Sequence, residues 1–181
     1  MTTKSQATIE DLYRIEQKAE LVNGEVVQMS PTGDQPSFAA LEIVVSLREQ
    51  ARRTGRGRAV GDNAGFKVNL PNRKLFSPDA AYYTGPRTGM KFFEGAPAFA
   101  VEVRSEGDYG QKAEEKIAQK IRDYFAAGTL VVWDVDLLGD TVVKVYRATD
   151  PDKPTIYRRG EMAEAEPAVP GWKFPVDNLF E

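Results

Sequence analysis

The chain has 181 residues, of which 41% are hydrophobic, and its formal net charge is −3. This length suits one folded domain with a sizeable core, and the slight acidity argues against a high-affinity, nonspecific nucleic-acid binder. The chain contains no Cys and no His, which excludes disulfides, thiolate or imidazole zinc sites, Ser-His-Asp triads and histidine general bases.

The first part of the chain predicts two helices and a hairpin. Thr8 suits the N-cap of a short helix over residues 8–18. Asn23-Gly24 separates two apolar runs, which is typical of a two-residue β-hairpin turn. An amphipathic pattern from Ser37 to Arg53 predicts a helix that ends at Gly55.

The rest of the chain reads mostly as strands around one long helix. Residues 57–70 predict a strand pair or one irregular strand, and a loop rich in Gly and Pro occupies residues 84–97. Residues 111–127 contain no Gly or Pro and precede Gly128, which predicts a helix. Further strands are predicted over 75–83, 99–105, 129–136 and 141–148, before an extended tail with a short last element at 177–181.

These elements together predict an α/β or α+β sandwich with a central mixed β-sheet flanked by helices. We expect a single domain over residues 1–181, in which residues 1–17 form an N-terminal helical extension. No apolar run approaches the roughly 18 residues of a membrane span, and the N-terminal residues do not have the layout of a secretory signal. The sequence therefore predicts a cytoplasmic protein.

Two carboxylates interrupt runs that otherwise read as buried strands. Asp79 lies in LFSPDAAYY and Glu102 lies in FAVEVRS. A lone buried carboxylate is costly, so each must be paired, bound to a metal or placed on a solvated face of the sheet. For either acid alone, a solvated face is as good an explanation as a functional one.

A lysine on the long helix favours the functional explanation. At about 100° per residue, Lys120 falls at the edge of the apolar arc of this helix, with Lys116 as the competing candidate one turn earlier. A snorkelling lysine would explain the same position. However, two carboxylates on adjacent strands and a lysine can hold a divalent cation such as Mg²⁺ or Mn²⁺ and stabilise a phosphate, as nucleases do.

The order of the motifs ELVNGEVVQMSP, SPDAAYY, VEVRS, KIRDYFAAG and VVWDVD, followed by VPGWKFPVDNLF, resembles the Uma-type family of "putative restriction endonucleases" in the PD-(D/E)XK nuclease superfamily. The resemblance spans residues 18 to 180. It implies a restriction-endonuclease-like fold with an N-terminal β-hairpin and a Mg²⁺- or Mn²⁺-dependent endonuclease that hydrolyses DNA. It also implies a homodimer, since superfamily members that cut both strands often dimerise.

The resemblance also implies roles for individual residues. Asp79 and Glu102 match the family's metal ligands, and Lys120 matches a lysine that activates water or stabilises the phosphate. Glu20 matches the first acidic metal ligand, with Glu42 as the alternative.

Two departures from the family pattern are present. VEVRSEGD replaces the more usual VEVLSPSD, which puts Arg104 beside the site. Most of the superfamily has a lysine at this position, whereas the Uma-type family has its lysine on the following helix. A histidine that the family often has near MSPTGDQP is also missing, which would weaken substrate contacts.

A basic cluster, RRTGRGR, could contact DNA phosphates beside the site, although two of its arginines also suit a helix C-terminus. The leading hypothesis is a DNA endonuclease. The alternative is a non-catalytic nucleic-acid- or protein-binding module on a nuclease-derived fold. A carboxylate-pair glycosidase ranks last, because it does not explain the lysine.

Overall fold

The structure is a computed structural model and describes residues 6–180. Its helices are α1 (Ile9–Leu12), α2 (Asp34–Thr54), α3 (Gln111–Ala126) and a closing 3₁₀ helix (Val176–Leu179). The first seven strands are β1 (Ala19–Val22), β2 (Glu25–Gln28), β3 (Arg58–Val60), β4 (Phe66–Lys67), β5 (Arg73–Phe76), β6 (Ala80–Tyr83) and β7 (Phe93–Glu94). The remaining strands are β8 (Phe99–Val103), β9 (Val131–Val135), β10 (Val143–Arg147), β11 (Asp150–Tyr157), β12 (Met162–Glu164) and β13 (Lys173–Pro175).

The largest sheet has six strands in the order β11-β10-β9-β8-β6-β3. Strands β8 and β9 pair in parallel, whereas the other neighbours pair antiparallel. Helix α3 connects β8 to β9, as expected because parallel neighbours need a crossover connection. The predicted central mixed sheet is therefore confirmed.

A second sheet has five strands in the order β2-β1-β5-β4-β7, and β12 and β13 form a two-stranded sheet. The predicted hairpin joins β1 to β2, with Val22 opposite Glu25. Asn23 and Gly24 have φ values of 51° and 73°, which is the geometry that selects Asn-Gly in a type I′ turn. The sequence predicted this turn correctly.

The two long helices cover opposite faces of the six-stranded sheet. Residues alternate between the faces along β6 and β8, so Tyr82 and Val101 pack in the cluster that contains α2. Tyr83 and Ala100 pack in the cluster that contains α3. The α3 cluster also includes aromatic side chains of the five-stranded sheet, so α3 lies between the two sheets. This position decides what the polar side chains of α3 can reach.

The prediction of one strand over residues 75–83 is wrong. Strand β5 ends at Phe76 in the five-stranded sheet, and β6 begins at Ala80 in the six-stranded sheet. Between them lie Ser77, Pro78 and Asp79, and a proline cannot donate to a strand ladder. Asp79 therefore lies at a crossing between two sheets and not inside a strand.

Two further predictions need correction. The helix predicted over 8–18 is only the single turn α1, which begins with the predicted Thr8 cap and a capping box with Asp11. The part of the proposed helical extension at residues 1–5 lies outside the described residues. The tail is not simple coil, because it contains β12 and β13, and the eight-residue strand β11 was not predicted. The predicted last short element is present as the 3₁₀ helix.

The other predicted elements are close to the observed ones. Helix α2 begins three residues before the predicted start and ends at a C-cap Gly55 with φ 64°. Helix α3 begins at the predicted residue and ends one residue early. Within residues 6–180, no helix combines the length and the apolar character needed to cross a membrane.

Candidate active site

Asp79 and Glu102 face each other across neighbouring strands. Strands β6 and β8 pair antiparallel with Ala80 opposite Val101, which places the residue before β6 opposite the residue after Val101. The Asp79 carboxylate accepts a 2.8 Å hydrogen bond from the backbone N–H of Val103 through Oδ2. The two acids are therefore held side by side by the strand register.

Lys120 joins the two sheets from its position on α3. Its Nζ lies 2.8 Å from Oε2 of Glu102 in the six-stranded sheet and 2.9 Å from Oε1 of Glu20 in the five-stranded sheet. One turn further along α3, the Tyr124 hydroxyl donates a 2.6 Å hydrogen bond to Oε1 of Glu102. Both oxygens of Glu102 thus have a partner from the same helix face.

Glu20 lies behind Lys120 and is held from several sides. It accepts a 2.8 Å hydrogen bond from the Ser77 N–H and pairs with the Arg73 guanidinium. Arg73 also donates to Asp123 of α3 at 2.9 Å. This buried network ties α3 to the five-stranded sheet and orients Lys120.

A second lysine contacts the site. The Nζ of Lys18 lies 2.7 Å from Oδ1 of Asp79 and 2.5 Å from Oδ1 of Asp62. Sequence reasoning missed this residue. The available signal was the position of Lys18 two residues before Glu20, because residues two apart on a strand share a face. The Lys18 carbonyl does extend the hairpin ladder, since it accepts a hydrogen bond from the Met29 N–H.

A cavity of about 780 Å³ opens onto this cluster. Asp79, Glu102, Lys18 and Lys120 line it, whereas Glu20 is buried. The structure therefore brings three of the four predicted site residues to the cavity wall. The fourth, Glu20, lies behind the cavity wall in contact with Lys120.

The electrostatics of the cluster follow from this burial. Burial raises the pKa of Glu102 to about 7; Lys120 opposes this rise, while the charges of Asp79 and Glu20 add to it. Burial would also raise the pKa of Glu20, but Lys120, Arg73 and the Ser77 N–H hold it below its usual value. Burial would lower the pKa of Lys120, yet the carboxylates of Glu102 and Glu20 raise it. The paired carboxylates therefore favour the charged, ammonium form of Lys120.

The donor set fits a hard divalent cation. Asp79 and Glu102 present carboxylate oxygens to one water-accessible cavity, and Mg²⁺ and Mn²⁺ accept such ligands together with water. Burial is the main cause of the raised pKa of Glu102, and a bound cation would favour the ionised form of this carboxylate. Within residues 6–180, no three acidic side chains already converge as a metal-binding group, so this fit rests on two carboxylates.

The alternative candidates make other contacts, although Lys116 and Arg104 also line the cavity. Glu42 lies on α2, and Glu20 is the glutamate that contacts Lys120. Lys116 lines the cavity but is exposed, while Lys120 makes the ion pairs. Arg104, at the usual lysine position, is buried in a bidentate pair with Asp134. It therefore has no free donor pair to replace a catalytic lysine.

The basic cluster lies away from the cavity. Arg58 pairs with Tyr83 and Val60 pairs with Ala81, so Arg58 is at the end of β6 remote from Asp79. Its guanidinium lies 5.4 Å from the Tyr83 ring centroid and donates to the Pro86 carbonyl at 3.1 Å. These contacts give Arg58 a structural role at that edge.

Comparison with known proteins agrees with this fold. The model of the Uma2 family, described as "Putative restriction endonuclease", matches residues 9–177. The chain belongs to this family. A crystal structure described as a "putative nuclease belonging to DUF820", from Anabaena variabilis ATCC 29413, superposes with a TM-score of 0.75 at 18% identity and covers 96% of this chain and 97% of that chain. This likeness shows the fold alone, and it confirms the predicted nuclease-like α+β fold class. A comparison with curated proteins found no match to the chain.

Proposed function

We propose that the protein is a metal-dependent endonuclease that hydrolyses DNA phosphodiester bonds. The observation that carries the proposal is the convergence of Asp79, Glu102 and Lys120 on one cavity from the β5–β6 connection, β8 and α3. Membership of the Uma2 family of "Putative restriction endonuclease" proteins supports the same reaction class. DNA as the substrate, Mg²⁺ or Mn²⁺ as the cofactor and a homodimeric assembly are parts of this proposal.

Asp79 and Glu102 would hold the cation. A bound Mg²⁺ or Mn²⁺ supplies charge neutralisation of the phosphate and a water of lowered pKa. Val103 fixes Asp79 through its N–H, and Tyr124 fixes Glu102 through its hydroxyl. The protein thus orients both carboxylates before any ligand arrives, which lowers the reorganisation that the reaction requires.

Lys120 acts on the phosphate and orients the attacking water. Against the effect of burial, the carboxylates of Glu102 and Glu20 raise the pKa of Lys120, which favours the ammonium form that donates hydrogen bonds. An ammonium in this position stabilises the negative charge that develops on the scissile phosphate. Glu20, predicted as the first metal ligand, also holds Lys120 in place at 2.9 Å.

Cleavage assays on matched variants test the proposal. Supercoiled plasmid and single-stranded DNA are incubated with Mg²⁺ or Mn²⁺ and the wild type, Asp79→Asn, Glu102→Gln or Lys120→Met. We expect each variant to lose at least about a hundredfold in rate, since each removes a group that holds the cation or stabilises the transition state. Glu115→Gln is the control, because Glu115 is exposed on the same helix as Lys120.

The proposal fails if the wild type cuts neither DNA with either cation. The alternative is then a non-catalytic nucleic-acid- or protein-binding module. One observation favours that alternative: Asp79 and Glu102 each already contact a lysine ammonium, so the cluster is partly neutralised by the protein itself. Calorimetry separates the two functions, because the module would bind DNA without needing Mg²⁺ or Mn²⁺.

A further inference from the structure

Lys18 is a second ammonium in the cavity, and the proposed mechanism gives it no role. Its side chain is 13% exposed, and its Nζ lies between Oδ1 of Asp79 and Oδ1 of Asp62. Two carboxylates hold the ammonium in this position, so Lys18 places a positive charge directly beside a proposed metal ligand.

The contact with Asp79 involves one particular oxygen. Oδ2 of Asp79 accepts the 2.8 Å hydrogen bond from the Val103 N–H, whereas Oδ1 contacts Lys18 at 2.7 Å. The backbone therefore fixes the orientation of Asp79 without help from Lys18. It leaves Oδ1 as the oxygen without a backbone partner, and Lys18 is already bound to that oxygen.

Asp62 gives the ammonium a second partner outside the metal site. Its side chain is 52% exposed and lies 2.5 Å from the Nζ of Lys18. An ammonium has three donors, so Lys18 can stay bound to Asp62 after it leaves Asp79. The release of Oδ1 then costs less than the full separation of a buried ion pair.

We propose that Lys18 competes with the divalent cation for Oδ1 of Asp79 and thereby sets the cation concentration at which the site fills. An ammonium and a divalent cation at the same carboxylate oxygen repel each other, and this repulsion is only weakly screened in a partly buried site. Lys18 is thus a positioning residue that acts through Asp79. The inference rests on the proposed function, since it assumes that Asp79 binds the cation.

Calorimetric titration with Mn²⁺ tests the competition. We expect Lys18→Met to bind Mn²⁺ at least about tenfold more tightly than the wild type, because the competing charge is gone. Lys18→Gln, which keeps a hydrogen-bond donor without the charge, should change the affinity in the same direction. Lys116→Met is the control, because Lys116 is an exposed lysine of the same cavity, and its affinity should stay within about twofold of the wild type.

Asp62→Asn should change the affinity for Mn²⁺ in the opposite direction. Without the Asp62 carboxylate, Lys18 has Asp79 as its remaining charged partner, so Mn²⁺ should bind more weakly. Combining Asp62→Asn with Lys18→Met should abolish most of this weakening, because no ammonium is left to compete. Thermal stabilisation by Mn²⁺ gives an independent readout of the same affinities.

The outcomes separate the inference from the function on which it rests. If the wild type binds Mn²⁺, Asp79→Ala does not, and both Lys18 variants bind no more tightly than the wild type, the competition is refuted and the metal site stands. A purely structural role of Lys18 gives this result, with unchanged or weaker binding. If neither the wild type nor any Lys18 variant binds Mn²⁺, the metal site and the competition are both wrong.

Discussion

Arg104 gives the sharpest test of the ion-pair network, because the structure pairs it with one buried and one exposed acid. Its guanidinium binds both oxygens of Asp134 at 2.8 and 2.7 Å, and the side chains of the pair are only 3% and 2% exposed. Its second partner, Glu114, is 52% exposed. The Asp134 pair raises the pKa of Arg104 further above its usual value, so the arginine stays charged.

Removing Arg104 alone leaves Asp134 buried without a cation. Breaking a buried ion pair by deleting one partner costs about 3–5 kcal/mol, whereas an exposed pair such as the one with Glu114 contributes at most about 1 kcal/mol. We therefore expect Arg104→Leu to lower the free energy of unfolding by about 4 kcal/mol. The double variant Arg104→Leu/Asp134→Leu should lie within about 1 kcal/mol of the wild type, because an apolar pair replaces both charges.

Urea unfolding of the wild type, both single variants and the double variant at neutral pH measures these differences. The reasoning is refuted if Arg104→Leu costs less than about 1 kcal/mol, or if the double variant loses the sum of the two single losses. The double variant should also keep any nuclease activity of the wild type. Loss of activity in a stable double variant would show that Arg104 or Asp134, which both line the cavity, contributes to the reaction.

Two further predictions concern stability. Burial raises the pKa of Glu102 from 4.5 to about 7; Lys120 opposes the rise, and the charges of Asp79 and Glu20 add to it. The contribution of Glu102 to the free energy of unfolding is therefore fully present below pH 4.5 and is lost as the pH rises through 7. Between pH 4.5 and pH 8, the free energy of unfolding of Glu102→Gln should therefore rise by roughly 3 kcal/mol relative to that of the wild type. Urea unfolding with a chelator present measures this difference, and parallel pH profiles of the two proteins would contradict it. Gly57→Ala should cost at least about 2 kcal/mol, because a Cβ would lie 2.3 Å from the Tyr82 ring at a φ of 62°. Gly55 has a φ of 64°, and beyond the adjacent residues an added Cβ would have no neighbour within 4 Å among the described residues, so Gly55→Ala should cost about 1 kcal/mol. Thermal unfolding of both variants measures the two losses of stability, and equal losses would remove the steric explanation.

Local patterns in the sequence were sufficient for the elements that carry two of the site residues. The period of α3 placed Lys120 at the edge of the apolar face, and the alternation in FAVEVRS placed Glu102 on one face of a buried strand. Both follow from fixed geometry, 3.6 residues per helical turn and two per strand repeat. The type I′ turn at Asn23-Gly24 follows from the few backbone conformations that tolerate positive φ.

The site itself depended on contacts between distant parts of the chain. Lys18 is 61 residues from Asp79, and Arg73 is 53 residues from Glu20, and no periodicity relates positions so far apart. Asp79 read as a strand residue because the apolar runs on both sides of Pro78 look continuous, although they belong to different sheets. The sequence by itself determined the two long helices, the hairpin and the residue types available for chemistry. Only the tertiary structure decided which ammonium meets which carboxylate, because that depends on the packing of α3 between two sheets.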